Sequence, residues 1–218
     1  MPTKTFFNLS EEKRQRLIDA AMKEFAHVPV NQASIANIIK YAEISRGSFY
    51  QYFEDKNDLY FYLISIFKYN SKQLMKRNFK KANGEFIEGY KRFGQEYIQA
   101  VMDSEKVGFF KNMYLYMDYQ VSREVGVALV NSIRQSYQKT GERVVDVIDW
   151  DSLKIETPEE RVELMKHIIS MLNQAIMEGF SKEWTTEETK QCFLRRLGWI
   201  ADGVRKVPTT EKRKKEDK

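Results

Sequence analysis

The chain holds one cysteine, Cys192, among 218 residues, so no internal disulfide framework can brace it. Its two histidines, His27 and His167, lie far apart, without cysteine or paired carboxylates at ligand spacing. Zinc patterns are therefore excluded, and no metal or other cofactor is expected. Neither a glycine-rich phosphate loop nor a nucleophile motif is present, which argues against an enzyme. Apolar runs fall well short of the roughly 18 residues a membrane span needs, and the first residues lack the apolar core of a signal peptide. The expected location is cytoplasmic, away from any membrane. Proline (4) and glycine (10) are scarce, while phenylalanine (14) and tyrosine (12) are plentiful. So few breakers among so many long side chains predict an all-α fold.

A broad positive field is also missing from the first quarter of the chain. The net charge is +5, but residues 1–57 carry eight Lys/Arg against seven Asp/Glu. Residues 205–218 carry seven against three, and the middle is neutral. Any nucleic acid bound by the N-terminal region must be held by a few placed contacts.

Residues 1–9 read as a poorly ordered arm. Ser10 then caps a helix, with Glu11 and Glu12 complementing its positive end. Leu17, Ile18, Ala21, Met22 and Phe25 form one apolar face of that helix, and Pro29 lies at or just past its end. Ser34 caps a second helix with Ile35, Ile38, Ile39 and Ala42 inward. Ala42-Glu43-Ile44 makes a tight turn, and Ser45 caps a third helix whose Phe49 and Phe53 point back to the core. Asp55 caps a long fourth helix, with Asp58 supporting its first turn. Between the inward phenylalanines, the third helix offers small, polar and aromatic side chains with little reason to be buried. A short rigid helix of that kind suits the DNA major groove.

The run Arg16-Leu17-Ile18-x-Ala20-Ala21-x-x-x-Phe25, then Ser34-Ile35-x-x-Ile38, then Ile44-Ser45-Arg46-Gly47-Ser48-Phe49-Tyr50-x-Tyr52-Phe53-x-x-Lys56-x-x-Leu59 resembles the TetR family of bacterial transcriptional regulators, a group that includes AcrR. The resemblance covers about a fifth of the chain and implies a helix-turn-helix. Two glycines usual in the family are absent: His27-Val28-Pro29-Val30 stands after the first helix and Ala42-Glu43-Ile44 in the turn. Glu43 is thereby asked to adopt a backbone conformation easier for glycine. At the matching positions the family implies phosphate contacts from Tyr50, Tyr52 and Lys56. Ser34 and Ser45 can each add a hydroxyl to phosphate. Arg46, Ser48 and Gln51 are the expected base readers, Arg suiting guanine and Gln adenine, with Gly47 permitting close approach.

The expected organisation is a helix-turn-helix DNA-binding domain over 1–57, a larger helical effector-binding and dimerisation domain over 58–206, and a charged disordered tail over 207–218. Beyond Lys56 the resemblance gives little, and periodicity has to serve. It predicts helices ending near Asn83-Gly84, over 85–103, around Phe109–Met117, and from Ser122 to about Ile148, then a polar connection over 149–156. Thr157-Pro158-Glu159-Glu160 and Thr185-Thr186-Glu187-Glu188 open the last two helices as capping boxes. Aromatic and methionine side chains at helical spacing are core by default. Their density near Phe109–Tyr119 also suits a pocket for a largely apolar small molecule, and Tyr97, Met102, Phe110, Met113, Tyr114 and Met117 are its expected lining. In the last two helices Met165, Ile169, Leu172, Ile176, Phe193, Leu197, Ile200 and Val204 are expected at a homodimer interface, as in proteins resembling this one. Two recognition helices related by a two-fold axis would read a palindromic operator in double-stranded DNA. The function expected is a repressor released by an effector. Its rival is a helix-turn-helix adaptor or architectural protein whose C-terminal domain binds a protein partner.

Overall fold

Nine α-helices and one 3-10 turn make up the regular structure of the computed structural model, which describes residues 2–116 and 143–204. In order they are α1 (Lys4–Phe7), α2 (Glu11–His27), α3 (Ile35–Ala42), α4 (Arg46–Tyr52), α5 (Lys56–Lys81), α6 (Phe86–Met102) and α7 (Val107–Tyr116). The 3-10 turn (Val144–Val147), α8 (Pro158–Ser181) and α9 (Thr186–Val204) follow.

Local chemistry sets most helix starts. The Ser10 hydroxyl accepts from the Lys13 amide, and Ser45 accepts from the Ser48 amide at 3.0 Å. The Asp55 carboxylate accepts from the Asp58 amide at 2.8 Å, while Asp58 reaches back to the Glu54 amide at 3.2 Å. Both expected capping boxes form: Thr157 with Glu160, with Pro158 in the first turn, and Thr185 with Glu188. Each satisfies amides that a helix start leaves without partners.

The N-terminal arm departs from expectation, for it is folded. Phe6 is fully buried and meets Phe53, Tyr62 and Tyr52 edge-on, with ring centroids 4.9, 5.2 and 6.4 Å away. The Thr3 amide donates to the Tyr52 carbonyl at 3.0 Å, and the Thr3 hydroxyl to the Gln51 carbonyl at 2.6 Å. The arm thus closes the C-terminal end of α4, where carbonyls would otherwise lack donors.

The body packs α5 against α6, with α9 lying on both α6 and α8. Two glycines allow close contact, since a Cβ on Gly89 would strike the Phe79 ring and one on Gly94 the Phe193 ring. The expected helix ending near Ile148 lies mostly outside the described residues. Within them, 144–147 form a 3-10 turn and Ile148 is extended. The connection after it is less polar than its composition, because Trp150 and Leu153 are buried. Trp150 packs on Phe86 and donates its indole N–H to the Val145 carbonyl at 2.9 Å. Among the described residues, no helix is long and apolar enough to cross a membrane.

Candidate nucleic-acid interface

Three helices, α2, α3 and α4, hold the helix-turn-helix, and Ile38, Ala42, Phe49 and Phe53 are its fully buried centre. The turn is tight because Glu43 takes φ 54° and ψ 43°, a left-handed conformation. A non-glycine residue pays for that conformation. Here the Glu43 carboxylate, 3.4 Å from Arg16, links the turn back to α2.

The structure corrects one expected cap. The Ser34 side chain makes no capping bond to α3. The start of α3 is tied down instead by Glu24 of α2, a buried carboxylate that accepts from the Ser34 amide at 2.8 Å and from the Asn37 side chain at 3.2 and 3.1 Å. A buried carboxylate is tolerable only with such donors, and the arrangement fixes α3 against α2. Sequence spacing offered no sign of it, because the partners sit ten and thirteen residues away across a loop.

On α4, Arg46, Gly47, Tyr50 and Gln51 are exposed, whereas Ser48 and Tyr52 are partly buried. The Arg46 guanidinium lies 5.6 Å from the Tyr50 ring centroid and donates to its hydroxyl at 3.3 Å, so the two are held together. The nearest atom to a Cβ on Gly47 would be the Ser45 hydroxyl at 3.9 Å. The fold itself therefore does not require glycine there. Ser48 shares a 2.8 Å hydrogen bond with Ser45, so both hydroxyls have an internal partner. Tyr52 leans on Phe6. Lys56 is occupied as well: its ammonium donates to the Asn31 and Ala33 carbonyls at 2.8 and 2.9 Å. In the free chain Lys56 latches the loop between α2 and α3 onto the start of α5.

The body shows two further groupings. The Tyr97 and Tyr114 hydroxyls are 3.2 Å apart, and Tyr114 donates to the Asn173 side chain at 3.2 Å, joining α6, α7 and α8. Burial first, then the neighbouring Tyr97, hold Tyr114 well above the ordinary phenol value; burial also raises Tyr97. Both are neutral hydrogen-bonding groups at pH 7. Met102 and Met113 are partly buried beside the core, Phe110 is buried, and Met117 lies outside the described residues. One turn along α7, Asn112 donates to the Phe25 and Ala26 carbonyls of α2 at 2.9 and 3.1 Å. Gly108 sits so close that a Cβ would meet the Ala26 carbonyl at 2.9 Å. A single helix thus touches both the aromatic region and the back of the helix-turn-helix, a link that periodicity could not show.

The expected interface residues divide. Leu172, Ile176, Phe193 and Leu197 are buried inside one subunit and have almost no surface to offer another. Met165, Ile169, Ile200 and Val204 are partly buried. The exposed apolar side chains of α8 and α9 are Val162, Met177 and, at 73% exposure, Trp199.

Two family models agree with this architecture. "Bacterial regulatory proteins, tetR family" matches residues 17–63, and "Tetracyclin repressor-like, C-terminal domain" matches residues 85–204, more than half of the chain. The chain belongs to the TetR family. It is thus a DNA-binding transcriptional regulator and not an enzyme. The HTH-type transcriptional regulator AcrR of Shigella flexneri is 37% identical over 51 residues, covering 23% of this chain and 24% of that protein. A TetR-family regulator from Syntrophomonas wolfei superposes with a TM-score of 0.62 at 19% identity, covering 91% of this chain and 99% of its own. The regulator FadR from Bacillus subtilis, in complex with stearoyl-CoA, does so at 0.55 and 16%, covering 84% and 96%. At such identities the likeness is one of fold.

Proposed function

We propose that this TetR-family chain is a homodimeric repressor of a palindromic operator, released by a small and largely apolar effector. The observation that carries the reading is the outer face of α4. There Arg46, Tyr50 and Gln51 stand exposed around a glycine the fold does not need. Arg46 and Gln51 read bases, Tyr50 and Tyr52 meet phosphates, and the bare Gly47 lets the backbone approach the groove. Ser34, Ser45 and Ser48 supply hydroxyls at its edge. Lys56 acts in two ways: it fixes the loop before α3 in the free chain, and it brings positive charge and the start of α5 toward a phosphate.

The second copy docks on the α8 and α9 surface that carries Trp199, Met177 and Val162. The effector lies among Tyr97, Met102, Met113 and Tyr114, with Phe110 behind them. A ligand there can reach the DNA-binding helices by two routes, Asn112 of α7 on the end of α2 and Lys56 of α5 on the loop before α3. One state of the dimer sets the two recognition helices one DNA turn apart, roughly 34–36 Å. The effector favours a second state with different spacing, and only its differential affinity drives the change.

Selection of bound sequences from random DNA is expected to return a palindrome. Arg46→Ala and Gln51→Ala are each expected to weaken the selected site roughly tenfold to a hundredfold in a mobility-shift assay and to relax the base read. Wild-type affinity and base preference in the double variant would overturn the assignment.

A further inference from the structure

Helix α5 carries seven lysines and arginines and a single acid, Asp58. The neutral charge of the middle of the chain hides this, because the balancing acids lie on other elements. Lys56 is held by carbonyls, and Arg77 by Glu96. Lys68 and Lys72 differ. They stand four residues apart and are half-buried. They continue the stripe that includes Ile64, Met75 and Phe79, all buried, at intervals that place them on one side of the helix. Where periodicity calls for two apolar residues, the chain has two cations.

Neither ammonium has an acid, carbonyl or aromatic partner among the described residues. Two exposed lysines of the body do find one: Lys166 meets Glu163 and Lys182 meets Glu178. A partly buried charge without a counter-charge is costly to keep. Burial, and for Lys68 also the charge of Lys72, lowers both ammonium groups from the usual lysine value. The residue before Lys68 is Phe67, whose ring packs on Phe109 and Phe110 of α7 at 5.4 and 4.8 Å. The segment of α5 that carries the two cations is therefore anchored, through Phe67, to the aromatic region assigned above to the effector.

We propose that Lys68 and Lys72 form an anion-binding subsite, and that the effector is an amphiphile with an apolar tail and an anionic carboxylate or phosphate head. This rests on the effector reading given above. The tail lies among the aromatic and methionine side chains of α6 and α7. The head lies between the two ammonium groups and supplies a counter-charge that the described residues do not, through charge-assisted hydrogen bonds.

The test uses the full chain and probes sharing one tail: decanoate, decyl phosphate and 1-decanol, each measured by calorimetry and thermal shift. The wild type is expected to bind at least one anion roughly tenfold more tightly than the alcohol; which one shows whether the head is a carboxylate or a phosphate. In a Lys68→Met, Lys72→Met variant, which keeps an apolar stem, that ratio is expected to fall to about one. Equal binding of alcohol and anions by the wild type would overturn the subsite and leave the effector reading standing. A variant that keeps the anion preference would overturn it too. Should none of the three bind, the effector reading fails for such tails, and inorganic phosphate at matched ionic strength decides the subsite. A higher Tm in the wild type but not in the variant supports it; equal responses overturn it.

Discussion

The DNA-binding head and the helical body treat their polar and apolar groups in opposite ways. In the head, the groups that could be left over are spent internally. Glu24 holds α3, Lys56 holds the loop before it, Thr3 closes α4, and Glu43 returns to Arg16. Outward stand the polar and aromatic set on α4 and the partly exposed rings of Phe7 and Tyr41. In the body, α9 exposes Trp199, α8 exposes Met177 and Val162, and α5 keeps two half-buried lysines without partners among the described residues. On the reading proposed above, the body is completed by other molecules, a second copy and an effector, while the head needs only the operator. A regulator needs both: a rigid reader and a part whose free energy changes with what binds it.

The largest effect expected from breaking this contrast is at Trp199. Large exposed aromatics at the centre of an interface carry much of its energy. Trp199→Glu is expected to weaken self-association roughly a hundredfold, read by sedimentation over a range of concentrations, and to lower operator affinity as half-sites are read singly. The fold should persist, since the side chain touches little of its own subunit. An unchanged dimer would move the interface to another surface and remove the strongest mark of an unfinished body.

Glu24 tests the other half. Glu24→Ala leaves the Ser34 amide and the Asn37 side chain without their acceptor, a loss of about 2 kcal/mol in unfolding free energy by denaturant titration. Operator binding is expected to weaken with it, because α3 no longer has a fixed seat. Self-association should hold. A variant that loses dimer as readily as DNA binding would show that head and body are not separable in this way.

The difference between the regions also decided how much could be read from the residues alone. The head declares itself locally: Ser45, Asp55 and the Ile44–Leu59 pattern lie within a few residues of what they cap or pack on. The strain at Glu43 follows from the missing glycine. What escaped were contacts made across the chain, such as Phe6 on Phe53 and Lys56 on the Asn31 carbonyl. Neither end of such a contact announces the other. In the body, periodicity gave α8 and α9 apolar stripes but could not say which of those residues the subunit covers itself. Leu172, Ile176, Phe193 and Leu197 turned out to be its own core. Trp199, one residue before the stripe member Ile200, was left outside. Lys68 and Lys72 carry no local signal either, because a cation at helical spacing reads the same on a solvated face as in a half-buried stripe.

A smaller effect sharpens the comparison from within the body, where an ion-pair cluster is closed largely by the subunit itself. Glu178 of α8 accepts from Arg196 of α9 at 2.7 Å and from Lys182 at 3.0 Å, with both carboxylate and guanidinium mostly covered. The hydrogen bond from Arg196, then that from Lys182, hold the Glu178 carboxyl below the usual range. A carboxyl whose folded value lies below its unfolded value stabilises the fold in full above the unfolded value, about 4.3. That stability is lost as pH falls through the folded value. Glu178→Gln is therefore expected to cost on the order of 1 kcal/mol at neutral pH, and the wild-type and variant stability curves should converge in acid as the native carboxylate takes up its proton. Parallel curves through that acid range would assign the acid sensitivity to other groups. Because the pair joins α8 to α9 within one subunit, its loss should loosen self-association far less than Trp199→Glu. In the proposed dimer the interface energy comes from what α9 exposes, and Glu178 acts on it only through the contact between α8 and α9.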